Sequence, residues 1–356
     1  MGALSGATST SEFISLADSI YSKRGRGSGF PPMRMFLLHS TIDAEEITSV
    51  SQIDSKFSVS LLKRIGTDLI EFEISRDWGG KTQETSSFMM QCAKGWLVLY
   101  PGEDVSLVRG ALYRLQPLVT PVRFYSRDFI NLTRRLSKCK ERFEIKEALL
   151  REPEKSHRLQ KRGRRRGPLT PSKGIAVDRL ASLVESENAW IQRMRYSVYE
   201  GGSSHGWVDM SVDRDGEAEM YDGHLSVAIR CLLEDSFGLA LSNLEYWKKR
   251  QPSKEPDKRA TPARISFRKK LDQNDLKEII ESMESLENMH CTVAHNGNPY
   301  LLLNLLDSVD GSSFDLYASG QDVYFVPVQQ VTPNSYMRTT EALFETLNEG
   351  MLVDEP

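Results

Sequence analysis

Positive charge is concentrated in two segments of a chain whose formal net charge is only -3. Residues 134–173 contain 15 Lys or Arg against 5 Glu, and KRGRRRG at residues 161–167 is their densest part. Residues 248–270 contain 10 basic and 2 acidic side chains. Lys and Arg release counterions from a polyphosphate, and Arg pairs with phosphate through its planar fork. The two segments therefore offer phosphate contact.

We expect these basic side chains to bind the backbone of DNA or RNA. The glycines in KRGRRRG resemble those of arginine- and glycine-rich segments that contact single strands with little sequence preference. Rings beside the basic runs, Tyr246, Trp247 and Phe267, either stack on bases or anchor a hydrophobic core. The expected nucleic-acid-binding residues are Lys161, Arg162, Arg164, Arg165, Arg166, Lys248, Lys249, Arg250, Arg268, Lys269 and Lys270.

Other interpretations of the basic segments stay open. Like charges in a short segment repel one another, so a solvated connector explains the same composition without a ligand. An acidic protein partner, a nuclear address, a membrane surface or the chain's own acidic modules would also attract these segments.

Three groups of side chains are candidates for metal binding or catalysis. His290, Cys291 and His295 are competent metal ligands, but in a strand Cys291 and His295 share a face about 13 Å apart. Glu71 and Glu73 have the spacing of a strand face but lack the nearby Lys of a magnesium-dependent nuclease. Residues 211–222 imitate a calcium loop through Ser211, Asp213, Asp215, Gly216, Glu217 and Asp222, or form a hairpin turning at Asp215–Gly216.

No phosphate-binding loop or nucleophile elbow occurs in the sequence. We therefore expect no catalytic residue, no metal and no cofactor, and we favour a protein that is not an enzyme.

The composition is that of a soluble globular protein, with 39% hydrophobic and 27% charged residues among 356. The longest apolar stretches are far shorter than the roughly 18 residues of a membrane span, so no membrane partner is expected. The amino terminus lacks the features of a secretory signal. The four cysteines are scattered, which favours free thiols in a reducing compartment and predicts a cytoplasmic protein.

Hydrophobic periodicity predicts an α+β fold of two or three small modules of antiparallel sheet packed with helices. The stretch from MFLLHS to WLVLY is strand-rich, NGNP and SGQD each lie between two predicted strands, and amphipathic helices follow Pro101 and Thr332. The segments TPVRFYS and VPVQQVT are alike and suggest a duplicated sheet-plus-helix unit. The predicted divisions are an N-terminal helix and connector at 1–32, modules at 33–137, 178–247 and 265–350, and basic connectors at 138–177 and 248–264.

These patterns favour a multi-domain, non-enzymatic nucleic-acid-binding protein, which uses its basic connectors for phosphate contacts within a larger assembly. The alternative is a protein–protein interaction subunit whose sheet edges bind other chains without nucleic acid. A metal-dependent nuclease is the weakest of the three hypotheses.

Overall fold

The structure is a computed structural model, which describes most of the chain. The described residues are 2–22, 31–40, 57–78, 80–92, 95–102, 104–115, 119–139, 142–151, 177–186, 190–201, 206–248, 262–297, 300–329, 331–347 and 351–353. They divide into two compact units. Unit 1 comprises the described residues within 1–149, 171–178 and 192–241, and unit 2 comprises those within 150–170, 179–191 and 242–356.

The described chain contains both helices and strands, and two runs of four consecutive strands, Phe57–Tyr100 and Met289–Pro327, contain no helix. The helices are α1 (Gly2–Ser5), α2 (Thr10–Tyr21), α3 (Ser106–Arg114), α4 (Ser126–Cys139), α5 (Val177–Ser186), α6 (Leu225–Arg230), a π-helix (Cys231–Ser236), α7 (Phe237–Lys248), α8 (Gln273–Ser285) and α9 (Pro333–Thr346). The first ten strands are β1 (Met33–His39), β2 (Phe57–Arg64), β3 (Leu69–Trp78), β4 (Lys81–Cys92), β5 (Gly95–Tyr100), β6 (Thr120–Pro121), β7 (Arg142–Arg151), β8 (Trp190–Glu200), β9 (Gly206–Asp213) and β10 (Glu217–Gly223). The remaining strands are β11 (Ala263–Ser266), β12 (Met289–Asn296), β13 (Tyr300–Asp307), β14 (Ser313–Ser319), β15 (Asp322–Pro327) and β16 (Met351–Val353).

Unit 1 is built on an antiparallel sheet in the order β2-β3-β4-β5-β1-β10-β9-β8-β7, with β6 paired to β1. Strand β1 lies in the middle, where Met35 is the cross-strand partner of both Leu99 and Ala218. Five of its seven residues are buried, as expected of a strand that is covered on both faces. They are Met33, Met35, Phe36, Leu37 and Leu38.

Two groups of helices cover this sheet on opposite faces. Helix α3 packs against β2, β3 and β4, and its Val108 and Ala111 join a core with Phe72 and Val98. On the other face, Phe13 of α2 contacts Phe88 of β4 with ring centroids 4.7 Å apart. Helix α6 packs against β9 and β10 on the α2 side of the sheet. The α3 side of β8, β9 and β10 carries polar residues.

Unit 2 contains a second antiparallel sheet in the order β12-β13-β14-β15-β11-β16. Its strands bury alternate residues, as β14 shows with Phe314, Leu316 and Ala318. Tyr336 of α9 packs on this inner face, where its ring lies 5.3 Å from that of Phe314. Helix α8 packs beside α9, so the two helices and the inner face form one core.

The two sheets share a strand order. In unit 1, β2-β3-β4-β5 form a meander with the earlier strand β1 beside β5, and in unit 2, β12-β13-β14-β15 form a meander with the earlier strand β11 beside β15. A helix follows each meander, α3 in unit 1 and α9 in unit 2. This match supports a duplicated unit, although TPVRFYS follows α3 whereas VPVQQVT precedes α9. The two similar segments therefore do not occupy equivalent positions in the two units.

The predicted α+β class, with antiparallel sheets packed by helices, is confirmed. The apolar stretch LVTPVRFY predicts a strand at residues 118–125, but within its described part, residues 119–125, only Thr120–Pro121 pairs as a strand. Strand β7 falls within residues 138–177, for which the sequence predicts a basic connector. The boundaries of the three modules and two connectors that the sequence suggests remain predictions. Among the described helices, none has the length and apolar character needed to cross a bilayer.

Candidate nucleic-acid interface

Few of the predicted phosphate contacts lie in the described part of the chain. Lys161, Arg162, Arg164, Arg165, Arg166, Lys249 and Arg250 lie outside the described residues, and Lys248 is the last residue of α7. Arg268, Lys269 and Lys270 follow β11 and are exposed. The Nζ atom of Lys269 lies 2.8 Å from a carboxylate oxygen of Asp275, which also accepts the backbone N–H of Asp272, the N-cap of α8. The described chain therefore places three of the expected cations together on the surface of unit 2.

The aromatic residues that precede or interrupt the basic runs belong to the core. Trp247 is fully buried, and its ring stacks on Tyr336 with centroids 4.7 Å apart. Phe267 and Tyr246 are also buried, and Phe267 contacts Phe344 of α9. These three rings are thus unavailable for stacking on a base, and they anchor the hydrophobic core.

A different set of rings lies on the outer face of the unit 2 sheet, opposite α8 and α9. We call His295, Tyr300, Tyr317 and Tyr324 the aromatic row. The centroid distances are 4.2 Å between His295 and Tyr300, 5.2 Å between Tyr300 and Tyr317, and 6.2 Å between Tyr317 and Tyr324. The guanidinium of Arg264 lies 6.0 Å from the Tyr324 ring and extends the row onto β11. Four adjacent strands, with β11 as a fifth, thus present one continuous line of flat groups.

The sheet register explains why the rings face outward. Leu301, Leu303 and Leu305 of β13 are buried, so the alternation of a strand turns Tyr300 and Leu302 to the other face. Leu302 is the direct cross-strand partner of Tyr317, and Tyr317 is the partner of Tyr324. His295 is exposed, and the three tyrosines are partly exposed.

Polar side chains lie on both sides of the aromatic row. On one side, the amide of Asn304 donates to Asp315 Oδ1 at 2.6 Å across β13 and β14. On the other side, Arg264 donates to Asp322 Oδ2 at 3.1 Å. Arg264 neutralises Asp322, whereas Asn304 carries no charge to neutralise Asp315. The outer face therefore combines stacking surfaces with hydrogen-bond acceptors.

Unit 1 carries an ordered polar network on the α3 side of its sheet, which we call the arginine ladder. It consists of Arg34, Arg193 and Arg195 with their acceptors. Arg34 NH1 lies 3.0 Å from Glu217 and 2.9 Å from Glu219. Since every arginine of the ladder already has a carboxylate, phosphate would have to displace an acidic partner there.

The rest of the ladder runs across β8, β9 and β10. Arg193 contacts Glu219, donates to Ser211 Oγ at 2.7 Å and donates to the Tyr221 hydroxyl at 2.6 Å. Arg195 forms a two-pronged pair with Asp209, at 2.9 and 2.8 Å. The Arg195 guanidinium also lies 4.1 Å from the Tyr221 ring.

The arginine ladder lowers the pKa of one of its own carboxylates, Glu219. Burial opposes ionisation of Glu219, but the hydrogen bond from Tyr221 and the charges of Arg193 and Arg34 together hold its pKa below the ordinary value. Glu219 therefore stays ionised within the network.

Asp213 lies beside the ladder in a different electrostatic setting. Its Oδ1 accepts backbone hydrogen bonds from Asp215 and Glu217, both at 3.0 Å. Burial raises the pKa of Asp213 to about 7, and the nearby carboxylates of Asp215 and Glu217 act in the same direction. Arg193, its cross-strand partner, lowers that pKa by a smaller amount.

The calcium-loop candidate at residues 211–222 is a β-hairpin. Strands β9 and β10 pair across it, and Gly216 adopts a positive φ of 74° in the turn. Ser211 faces Arg193, and Asp213 accepts from the backbone of the turn. The hairpin interpretation is confirmed, and these side chains have structural partners.

The metal-ligand candidates on β12 do not come together on one face. An irregularity in β12 between Val293 and His295 pairs Cys291 with the buried Leu305 but His295 with the outward Leu302. Cys291 and His295 thus face opposite sides, and the expectation that they share a face was wrong. Within the described ranges, no group of three or more His, Cys, Asp or Glu is arranged to hold a metal.

Glu71, considered for a nuclease, is buried and accepts a hydrogen bond from the Ser5 hydroxyl at 2.6 Å. The same amino-terminal segment receives the Lys63 ammonium, which donates to the Ala7 carbonyl at 2.9 Å. Thr10 donates to Asp68 at 2.5 Å. These contacts tie α1 and α2 to β2 and β3, so the role that the structure gives to Glu71 is structural.

The aromatic row was missed from the sequence, although a signal was present. In YLLLNLL, FDLYA and DVYFV, the tyrosines occupy the positions that alternate with the most apolar ones. Pairing those strands in register brings the tyrosines together, but a single chain gives the register only when the hairpins on both sides are assigned.

Comparison with known proteins assigns the chain to no family. The sequence matches no model of a known protein family and no curated protein sequence.

Proposed function

We propose that this chain is a non-catalytic protein that binds single-stranded nucleic acid on the outer face of the unit 2 sheet. The observation that carries the proposal is the aromatic row. Exposed and partly exposed rings on neighbouring strands provide stacking surfaces for successive bases, and every base has a flat face that stacks on them. Burial of Tyr246, Trp247 and Phe267 leaves the row as the stacking surface of unit 2 among the described residues.

The basic side chains supply the second part of the interface. In sequence, residues 248–270 surround β11, the strand that contributes Arg264 to the row. Arg268 and Lys270 are exposed directly after this strand. Bases would stack on the sheet while the phosphates pair with these cations. The other basic segment, with Arg164, Arg165 and Arg166, would add further phosphate contacts.

The test is the fluorescence anisotropy of a labelled thymidine oligomer titrated with the full chain. Replacing Tyr317 by Leu removes the central ring and keeps an apolar side chain, so binding should weaken by about 1–3 kcal/mol. Tyr199→Leu is the matched control, because Tyr199 is a partly exposed strand tyrosine of unit 1, stacked on Trp207. Equal losses in the two variants, or no binding by the unchanged protein at low salt, would refute the proposal.

The salt dependence tests the phosphate contacts separately. For a single strand, each neutralised phosphate contributes about 0.7 to the slope of log affinity against log salt. Changing both Arg268 and Lys270 to Gln should reduce the slope by about 1.4, and changing Arg164–Arg166 to Gln should reduce it by about 2. An unchanged slope would remove these residues from the interface.

Protein–protein interaction is the second candidate function, and strand β12 favours it. This strand is at the end of the sheet order of unit 2, and Thr292–Asn296 are exposed on both faces. Its sequence MHCTVAHN contains no Lys, Arg, Asp, Glu or Pro to discourage pairing with another strand. Size-exclusion chromatography after nuclease treatment distinguishes the candidates, because a complex that survives nuclease is held by protein contacts.

A further inference from the structure

Asp315 is a carboxylate on the face that we propose for nucleic acid, where it would repel phosphate. Its Oδ1 is held by the Asn304 amide at 2.6 Å. Within the described residues, Oδ2 has no hydrogen-bond partner, whereas Asp322 across the row is paired with Arg264. Asp315 therefore offers a fixed carboxylate with an acceptor oxygen still available.

The register places this carboxylate within reach of a stacked base. Asp315 precedes Tyr317 by two residues on β14, and Asn304 follows Leu302 by two residues on β13. Two residues along a strand span about 7 Å. A base stacked on Tyr317 and lying along the strands would thus direct one polar edge at the Asn304–Asp315 pair.

The chemistry of the pair decides which edge fits. A carboxylate accepts hydrogen bonds and donates none, so it favours bases whose edges carry N–H groups. Guanine presents two parallel donors on its Watson–Crick edge, the ring N1–H and the exocyclic N2 amino group, which match the two oxygens of a carboxylate. Oδ1 can accept one of them beside the Asn304 amide, because each carboxylate oxygen has two lone pairs. Thymine and uracil present a single ring N–H between two carbonyl oxygens, and those carbonyls would face the negative charge.

We propose that Asp315, positioned by Asn304, selects guanine among the bases stacked on the aromatic row. This inference rests on the proposed function and assigns a base preference to the same site. Asp315 acts on the base edge and the cations of residues 248–270 act on the phosphates. The two kinds of charge on unit 2 then have separate roles on one ligand.

The test compares three oligomers that differ at one central position, thymine, guanine or hypoxanthine. Hypoxanthine has the guanine ring and N1–H but lacks the N2 amino group. Anisotropy titrations of the full chain should show guanine bound about tenfold more tightly than hypoxanthine, the effect of one hydrogen bond to a charged acceptor.

Two variants then locate the preference. Asp315→Asn keeps the shape of the side chain and should bring the guanine-to-hypoxanthine affinity ratio close to one. Glu287→Gln, which removes the same charge from an exposed position before β12, should leave the ratio at about ten.

The possible failures are separable. A wild-type chain that binds the thymidine oligomer but has equal affinity for guanine and hypoxanthine overturns the base preference and leaves the proposed function standing. A ratio that persists in Asp315→Asn overturns the role of this residue. Absence of binding to all three oligomers overturns both proposals.

Discussion

Replacing Asp213 by Asn should stabilise unit 1 at alkaline pH and have little effect in acid. The folded protein raises the pKa of this carboxyl from 3.8 to about 7. Between those values the unfolded chain ionises while the folded chain keeps the proton. Ionisation therefore favours unfolding, and the free energy of unfolding falls by about 1.4 kcal/mol per pH unit as pH rises. The loss is complete above the folded pKa, at about 4 kcal/mol.

Asn at position 213 should keep the local structure, and because it does not ionise it removes the loss of unfolding free energy at high pH. Its side-chain oxygen can accept the backbone N–H groups of Asp215 and Glu217, as Asp213 Oδ1 does. The advantage of the Asn variant over the wild type should grow by about 3 kcal/mol between pH 5 and pH 8. With a urea m value of about 2–3 kcal/mol/M, the difference between their midpoints should change by at least about 1 M.

Urea titrations at both pH values, followed by tryptophan fluorescence, measure these midpoints. Asp215→Asn is the matched control, because its side chain is 59% exposed and it lies in the same turn. That variant should retain the pH dependence and move it to lower pH, since the Asp215 charge raises the pKa of Asp213. An Asp213→Asn variant with the same advantage at both pH values, or one less stable at pH 8, would refute the reasoning.

Other substitutions test packing and backbone in both units. Gly216→Ala should lower the urea midpoint of unit 1 by the equivalent of about 2 kcal/mol, because Gly216 has a φ of 74° and a Cβ there would overlap the Val122 carbonyl; an unchanged midpoint would contradict this. Asp307→Ala should cost unit 2 about 3–5 kcal/mol, because it leaves Arg338 without its fully buried partner, and calorimetry would show a lower Tm. Trp247→Ala should cost about 3–5 kcal/mol in the same assay, and a loss below about 1 kcal/mol would show that its ring is not part of the core.

Most of the fold could be predicted because its signals are local. The cap at Thr332, followed by Pro333, marks the start of α9, and the Thr332 hydroxyl accepts from the Ser335 backbone as the pattern implies. The hairpins flanking NGNP and SGQD also follow from short-range turn chemistry. Most of the described part of LVTPVRFY is irregular although its pattern predicts a strand, because an apolar β-branched stretch packs as well in an irregular segment as in a strand.

The site was harder to predict because it depends on pairing between strands that are distant or irregular. Alternation within β13 places Tyr300 outward, but its proximity to His295 depends on the irregularity in β12. No residue type in the sequence predicts that irregularity. The arginine ladder joins Arg34 to Glu217 across 183 residues. Charge counts correctly located basic segments in the sequence, but they do not reveal which charges the fold neutralises.

Strand β11 imposes a particular order on the assembly of unit 2. The four strands of the β12–β15 meander pair with sequence neighbours, whereas β11 pairs with β15 only after the chain has closed a loop that contains α8 and three strands. Local pairings close at lower entropic cost, so the meander is expected to form first and β11 to join it later. During biosynthesis β15 is the last strand of the meander to be made, so β11 stays without this partner until β15 is in place.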